Sequence, residues 1–289
     1  MKKIFILLIT LCMVAPCFSQ YSSHSAVRQV KYTGLLDENG DPYGVKQIDG
    51  KPRTSSMPYS YDIAEGNVSG HEAIRIFGHN DNIGTAWEVL SHNGGVQHYV
   101  SSAEVLQFSS SDIEDDVGGD GAITVYIEGL DASYVIQSET VTMDGITNSP
   151  TSKAYLRVHF IRVLTAGATG WNEGIISVKD NGASNTIMTI PIQDNESHCA
   201  IYTVPSGKTL FVTHWVGGES SNKGTDLSLW IRPFGGLWYN KREVPVLSSV
   251  LDLDINFPLS ISEKTDIEYR VMGVLAGANV GGGLECWIE

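Results

Sequence analysis

An all-β fold, with two antiparallel β-sandwich or jelly-roll-like domains behind an extended N-terminal arm, is what this sequence predicts. Three observations predict it. In Gly121–Gly145, GAITVYIEGLDASYVIQSETVTMDG, residues Ile123, Val125 and Ile127 share one face and Thr124, Tyr126 and Glu128 the other. That is the period of a half-buried strand. The run breaks at Gly129–Asp131, resumes over Ser138–Met143 and breaks again at Asp144-Gly145. Turn signals then recur every ~8–12 residues, as in a sandwich or barrel. After residue 20 no stretch keeps an uninterrupted helical apolar period, and the chain carries 30 glycines, so very little helix is expected.

Residues 1–19 read as a signal-peptide-like leader. Lys2 and Lys3 form a basic start, Ile4–Val14 an apolar run, and Cys17-Phe18-Ser19 a small-residue end, with cleavage before Gln20. The run is shorter than the ~20 residues that span a bilayer. Val14-Ala15-Pro16-Cys17 loosely resembles a lipid-attachment site, but Pro16 fits it poorly. Residues 20–57 are polar and broken by Gly34, Gly40, Pro42, Gly44, Gly50 and Pro52. They read as an extended arm that docks elsewhere or as a surface loop.

Residues 58–194 read as a first sandwich, with strands expected over Ala73–Phe77, Thr85–Ser91, Val105–Ser109, Ala122–Glu128, Ser138–Met143, Lys153–Leu164, Gly174–Val178 and Thr186–Ile190. Residues 195–289 read as a second, jelly-roll-like one, with strands over Ala200–Val204, Thr209–Trp215, Asp226–Arg232, Val246–Asp254, Leu259–Ile261, Asp266–Leu275 and Leu284–Ile288. In that half Leu251, Leu253 and Ile255 alternate with Asp252, Asp254 and Asn256, the pattern of an antiparallel sheet with one wet face.

The formal charge of −14 over 289 residues argues against nucleic acid, whose phosphates need clustered Lys and Arg. The modest basic cluster Lys46–Arg53 does not outweigh it. Cys199 and Cys286 lie well inside the mature chain and could pair after export or stay buried as thiols. No catalytic, cofactor-binding or metal residue is assigned. The nucleophile-elbow, P-loop, zincin and dinucleotide motifs are missing, and His71-Glu72 is followed by Arg75 where a zincin needs its second His. The eight histidines are scattered. The acidic run Asp112–Asp120 could wrap a hard cation but does not follow the EF-hand spacing, and reads as a solvated loop. Six tryptophans could build a carbohydrate platform or an ordinary core. Trp230, Trp238 and Tyr239, beside Gly235-Gly236, are the ones to watch.

Tyr59–His71 (YSYDIAEGNVSGH), Phe77-Gly78-His79-Asn80, Glu128–Ala132, Glu139–Thr142, Leu156-Arg157-Val158, Gly170–Gly174 and Ala200–Lys208 (AIYTVPSGK) together resemble a family of virion-associated structural proteins from tailed, largely marine, phages. Asp41–Tyr61 fits the same setting, so the resemblance runs over residues ~41–270. It implies an all-β particle protein on the head, as decoration, or at a head–tail or fibre position. It also implies partnership with copies of itself and other virion proteins, and no catalytic residues. The leader departs from that setting, since virion proteins assemble in the cytoplasm. Either it is not a working signal, or the chain is an exported, host-encoded relative. The alternative function is therefore an exported sandwich that recognises glycans or a cell-surface partner. A secreted hydrolase has no positive feature behind it.

Overall fold

The computed structural model describes residues 59–289, together with the backbone of two short strands, β1 (Gln47–Ile48) and β2 (Lys51–Pro52), which pair antiparallel. The expectations for the leader and for the rest of the arm lie outside the described residues. Tyr59–Glu289 forms one unit. It opens with a single helical turn and a half, α1 (Tyr59–Ala64), and is otherwise strands and turns.

The strands that follow are β3 (Glu72–Ile83), β4 (Glu88–Val89), β5 (Glu104–Ser110), β6 (Ala122–Leu130), β7 (Ile136–Thr142), β8 (Ser149–Tyr155), β9 (Arg157–Ala166), β10 (Ile176–Lys179) and β11 (Thr186–Ile190). The remainder are β12 (Ile201–Thr203), β13 (Leu210–Glu219), β14 (Thr225–Arg232), β15 (Tyr239–Val246), β16 (Val250–Ile261), β17 (Asp266–Gly273) and β18 (Ala278–Ile288). They form two sandwiches of antiparallel sheets. The first packs sheet β11-β10-β5-β8 on sheet β7-β6-β9, around Leu106, Phe108, Val125, Ile127, Ile161 and Ile176. The second packs β12-β17-β14-β15, extended by β4 on β17, on β16-β13-β18-β3, around Trp215, Leu227, Tyr269 and Leu284.

The all-β reading holds, and several details differ from the sequence reading. Strands β3 and β4 were expected in the first sandwich. Instead β3 pairs with β18, Glu72 opposite Ile288, and sinks Ile76 and Ile83 into the second core. Local alternation marks a strand but says nothing about a partner at the far end of the chain. The first sandwich is thus an insertion between β4 and β12. The single strand expected over Lys153–Leu164 is two, β8 and β9, which belong to different sheets and meet at Leu156. The break expected over Gly129–Asp131 comes only at Asp131, because β6 runs to Leu130. A side chain at Gly129 would run into the Arg157 carbonyl oxygen on β9, so this glycine permits close approach rather than a turn. On β6 Val125 and Ile127 face the core as expected, while a register shift after Ala122 leaves Ile123 half-buried.

Cys199 and Cys286 are both free and buried, in different cores, so the disulfide alternative falls. Burial pushes the Cys199 thiol up to about 12, which keeps it unreactive. Nor is the acidic loop simply solvated. Asp115 is fully buried, and its carboxylate accepts from the backbone N–H of Ala122 (2.7 Å), Glu173 (2.9 Å) and Gly174 (2.9 Å) and from the Ser110 hydroxyl. It closes the loop around itself, the role that one buried and fully satisfied carboxylate can fill.

Candidate functional site

The site grows from the outer face of β17. Ile267, Tyr269 and Val271 point into the second core, so Asp266, Glu268 and Arg270 share the opposite face. That face is covered rather than wet: Asp266 and Glu268 are 4% and 2% exposed. Buried carboxylates need partners. Asp266 has three. Arg157 donates from Nε to Oδ1 at 2.8 Å, Arg232 from Nη2 to Oδ2 at 2.6 Å, and the Thr203 hydroxyl to Oδ1 at 2.7 Å. Burial alone would raise its pKa, but Arg157, Thr203 and Arg232 outweigh burial and hold the carboxyl below the usual range. Two residues on, Glu268 has one guanidinium, that of Arg270 at 2.5 Å, and there burial wins and the pKa is raised.

The arginines are interleaved with aromatic rings. Trp87 meets Trp230 at 6.4 Å between centroids. Arg270 lies over Trp230 (4.5 Å) and Trp238 (4.7 Å), Arg232 over Trp238 and Tyr99 (4.8 Å each), and Arg157 over Tyr99 (4.8 Å). Cations desolvated against rings in this way add attraction beyond their ion pairs. Arg157 comes from β9 of the first sandwich, while Arg232 and Asp266 come from β14 and β17 of the second, so the ladder is the seam that joins the two.

At one end the seam opens into a groove of about 700 Å³, lined by Tyr99, Tyr134, Arg157, Arg232, Phe234 and Lys264 with Asp266 as its acidic member. Tyr134 and Phe234 meet edge-on at 5.7 Å, and Lys264 Nζ lies 5.9 and 5.6 Å from their centroids. Both Tyr134 (φ 63°) and Lys264 (φ 59°) occupy the left-handed region, which bulky side chains rarely enter. The turn that holds Tyr134 is fixed by Asp131, whose carboxylate accepts from the N–H groups of Ser133 and Val135.

A second surface lies at the open side of the second sandwich, where β15 and β16 are the edge strands of their sheets. Of the six half-buried apolar residues packed on that core, Leu251, Leu253, Ile255 and Leu259 belong to β16, and Val244 to β15. A cleft of about 240 Å³ between the edges reaches Trp215, Leu229 and Leu284. Leu247, Val250 and Phe257 stand out beside it, 66%, 70% and 91% exposed. The core is under-covered along one twelve-residue unpaired edge, the feature that sheet proteins usually blunt.

On the outer face beside that edge, His214 of β13 bridges Asp252 of β16 (2.6 Å) and Glu285 of β18 (3.5 Å). The hydrogen bond to Asp252, reinforced by Glu285, raises the His214 pKa. Such a group adds stability that is complete below the unfolded value of ~6.5 and is lost as pH rises through the raised folded value. Amide protection factors at Leu253 and Asp254 should therefore fall as pH rises above ~6.5 and lose that pH dependence in His214→Gln. Level protection in the wild-type chain would remove His214 from the edge's support.

Of the aromatic residues singled out in the sequence, Trp230 and Trp238 join the ladder through Arg270, whereas Tyr239 turns instead to Lys241 at 5.7 Å. Trp215 is core, and Trp171 is 39% exposed on the first sandwich. His159 is buried, stacks on Tyr202 at 4.1 Å, and is pushed down to about 4 by burial. Among the described residues no group of three His, Cys, Asp or Glu side chains is placed to hold a metal ion, and no helix is long and apolar enough to cross a membrane. Sequence reasoning missed Arg157, Arg232, Asp266, Lys264 and Tyr134. A signal existed in Asp266-Ile267-Glu268-Tyr269-Arg270, where charges fill one whole face of an apolar strand.

No family model matches the chain, and no curated protein matches it. Several solved structures align with it, two of them as follows. One is described as "Crystal structure of infectious bursal disease virus VP2 subviral particle", at 10% identity, covering 75% of this chain and 71% of that chain with a TM-score of 0.18. The other, "Structure of infectious bursal disease virus Gt strain", has 8% identity, coverage of 80% and 77%, and a TM-score of 0.17. At such scores neither likeness bears on function.

Proposed function

We propose that the chain is a non-enzymatic structural protein of a phage particle, in the head, as decoration, or at a head–tail or fibre position, and that it assembles through its sandwich surfaces. The observation that carries this reading is the uncovered edge of β16. Apolar side chains as exposed as Val250 and Phe257, strung along an unpaired strand over an accessible core, are costly to leave in water. The sequence resemblance supplies the setting. Two β16 edges do not suit each other, because Asp252 and Asp254 of each would stand beside those of the other. The arm suits it better: residues 20–36 carry Arg28 and Lys31 and no acidic side chain. In this reading the 20–57 arm of one copy lies across the β16 edge of the next.

The test is sedimentation of the full-length chain beside a Val250→Lys, Phe257→Lys double variant. Both positions are exposed, so the variant keeps its far-ultraviolet circular dichroism and thermal midpoint. The expected outcome is a concentration-dependent oligomer for the wild-type chain and a shift of at least tenfold in midpoint concentration, about 1.4 kcal/mol, for the variant. A wild-type chain that stays monomeric at every attainable concentration would defeat the assembly reading. The particle itself is tested by antibody labelling of purified virions, and by whether portal, capsid and terminase genes flank this one.

A further inference from the structure

The groove at the end of the seam is an anion site in an acidic protein. Three cations, Arg157, Arg232 and Lys264, line it against the single carboxylate of Asp266, while the whole chain carries −14. Two of the three have donors to spare. Arg232 gives both Nε and Nη2 to Asp266 Oδ2, which leaves Nη1 unbonded among the described residues, and its side chain is 28% exposed. Lys264 Nζ lies against the rings of Tyr134 and Phe234, and of the carboxylates it feels Glu263, which stands outside the groove lining. Arg157, by contrast, is spent on Asp266 and on the Leu156 carbonyl, and is 10% exposed. Phe234 stands 66% exposed just before Gly235-Gly236, an open ring face at the rim.

We propose that this groove binds an acidic carbohydrate of the uronate or sialic-acid class. Its carboxylate is taken by Lys264 and the free edge of Arg232, and its ring lies on Phe234. Cationic donors alone would suit any anion. The exposed aromatic face, the Ser101 and Ser102 hydroxyl-bearing residues of the lining, and an open trough rather than a closed apolar pocket select a sugar. The backbone adds an independent pointer. Tyr134 and Lys264 both hold left-handed backbone angles, a strain that tends to persist at ligand sites. Both deliver their side chains to this one groove.

The test is titration calorimetry or ligand-observed NMR on the full-length chain with trigalacturonate and sialyllactose. Maltotriose and lactose are the neutral controls, and hexaglutamate the peptide control. Expected is binding of at least one acidic sugar, about tenfold or more over its neutral control and weakening as salt rises from ~50 to ~500 mM. Lys264→Gln and Phe234→Ala should each lose about tenfold in affinity with unchanged thermal unfolding, since both side chains end at the surface. Three results would overturn the proposal: no binding of either acidic sugar at ~10 mM, hexaglutamate or a neutral sugar binding as well, or Lys264→Gln binding like the wild-type chain. Binding is read per copy, so its failure leaves the assembly reading standing, and the reverse holds too.

Discussion

Asp266→Ala should lower stability by ~3–5 kcal/mol, which for a unit of this size is a fall of about 10 °C in thermal midpoint. The carboxylate is 4% exposed and accepts from two guanidiniums and a hydroxyl. Its removal strips Arg157 and Arg232 of the carboxylate they share, leaving Glu268 as the acidic group that still feels Arg232, and most of the loss is the cost of those under-compensated cations. A triple variant, Asp266→Leu with Arg157→Met and Arg232→Met, removes charge and counter-charge together and should recover most of the loss, unlike the single change. The pH dependence has a definite sign. The Asp266 pKa is lowered in the folded chain, so its contribution is in place above the unfolded value of ~3.9 and disappears as pH falls through the lower folded value. Glu268, whose pKa is raised, works the other way, so acid titration of the two partly offsets. Chemical denaturation of the wild-type and Asp266→Ala chains at neutral pH and near ~pH 3 should show the gap narrowing in acid. A neutral-pH loss under ~1 kcal/mol would mean that the seam is not held by this carboxylate.

Gly129→Ala should be the costliest single-methyl addition in the first sandwich, at the upper end of the ~1–3 kcal/mol range for overpacking. The obstacle is the Arg157 carbonyl, a backbone atom that cannot rotate away, with the Tyr155 ring beside it. Adjacent strands cannot separate locally without losing the β6–β9 ladder, where Leu130 stands opposite Arg157. The change therefore also pushes on the arginine that ties the first sandwich to Asp266. Gly84→Ala is the control. Nothing lies within 4 Å of the added carbon there, and the effect should stay within ~0.5 kcal/mol. Equal denaturation midpoints for Gly129→Ala and the wild-type chain would show that β6 and β9 have room to part.

The fold class was readable because alternation is a local property, and most strands here bury one face. Thr186–Ile190 and the β14 segment emerge within a residue of their expected bounds. Strand β15 escaped notice because its sequence, Tyr239-Asn240-Lys241-Arg242-Glu243-Val244-Pro245-Val246, has no apolar face over its first five residues, as suits an edge exposed along most of its length. Partnership is not local, and so β3 was read into the wrong sandwich. The groove was unreadable for the same reason. Tyr134, Arg157, Arg232 and Lys264 come from four separate segments, and only the crossing of β14, β17 and β9 brings them together. Tyr134 and Lys264 carry no turn signature that would announce a left-handed backbone.

The pairing of β3 with β18 has a consequence for the order in which this protein comes into being. Residues of the inserted sandwich, from β5 to β11, leave the ribosome as an unbroken block and hold nearly all the partners they need. They can fold while the chain is still being made. Strand β3 is synthesised before them, yet it must wait for β18, the last of the described strands. Until then its Ile76 and Ile83 have no core to enter. A strand made ahead of the whole inserted sandwich is thus among the last to find its place, and a ribosome stalled short of residue 278 would release one finished sandwich with an unpaired strand trailing from its front.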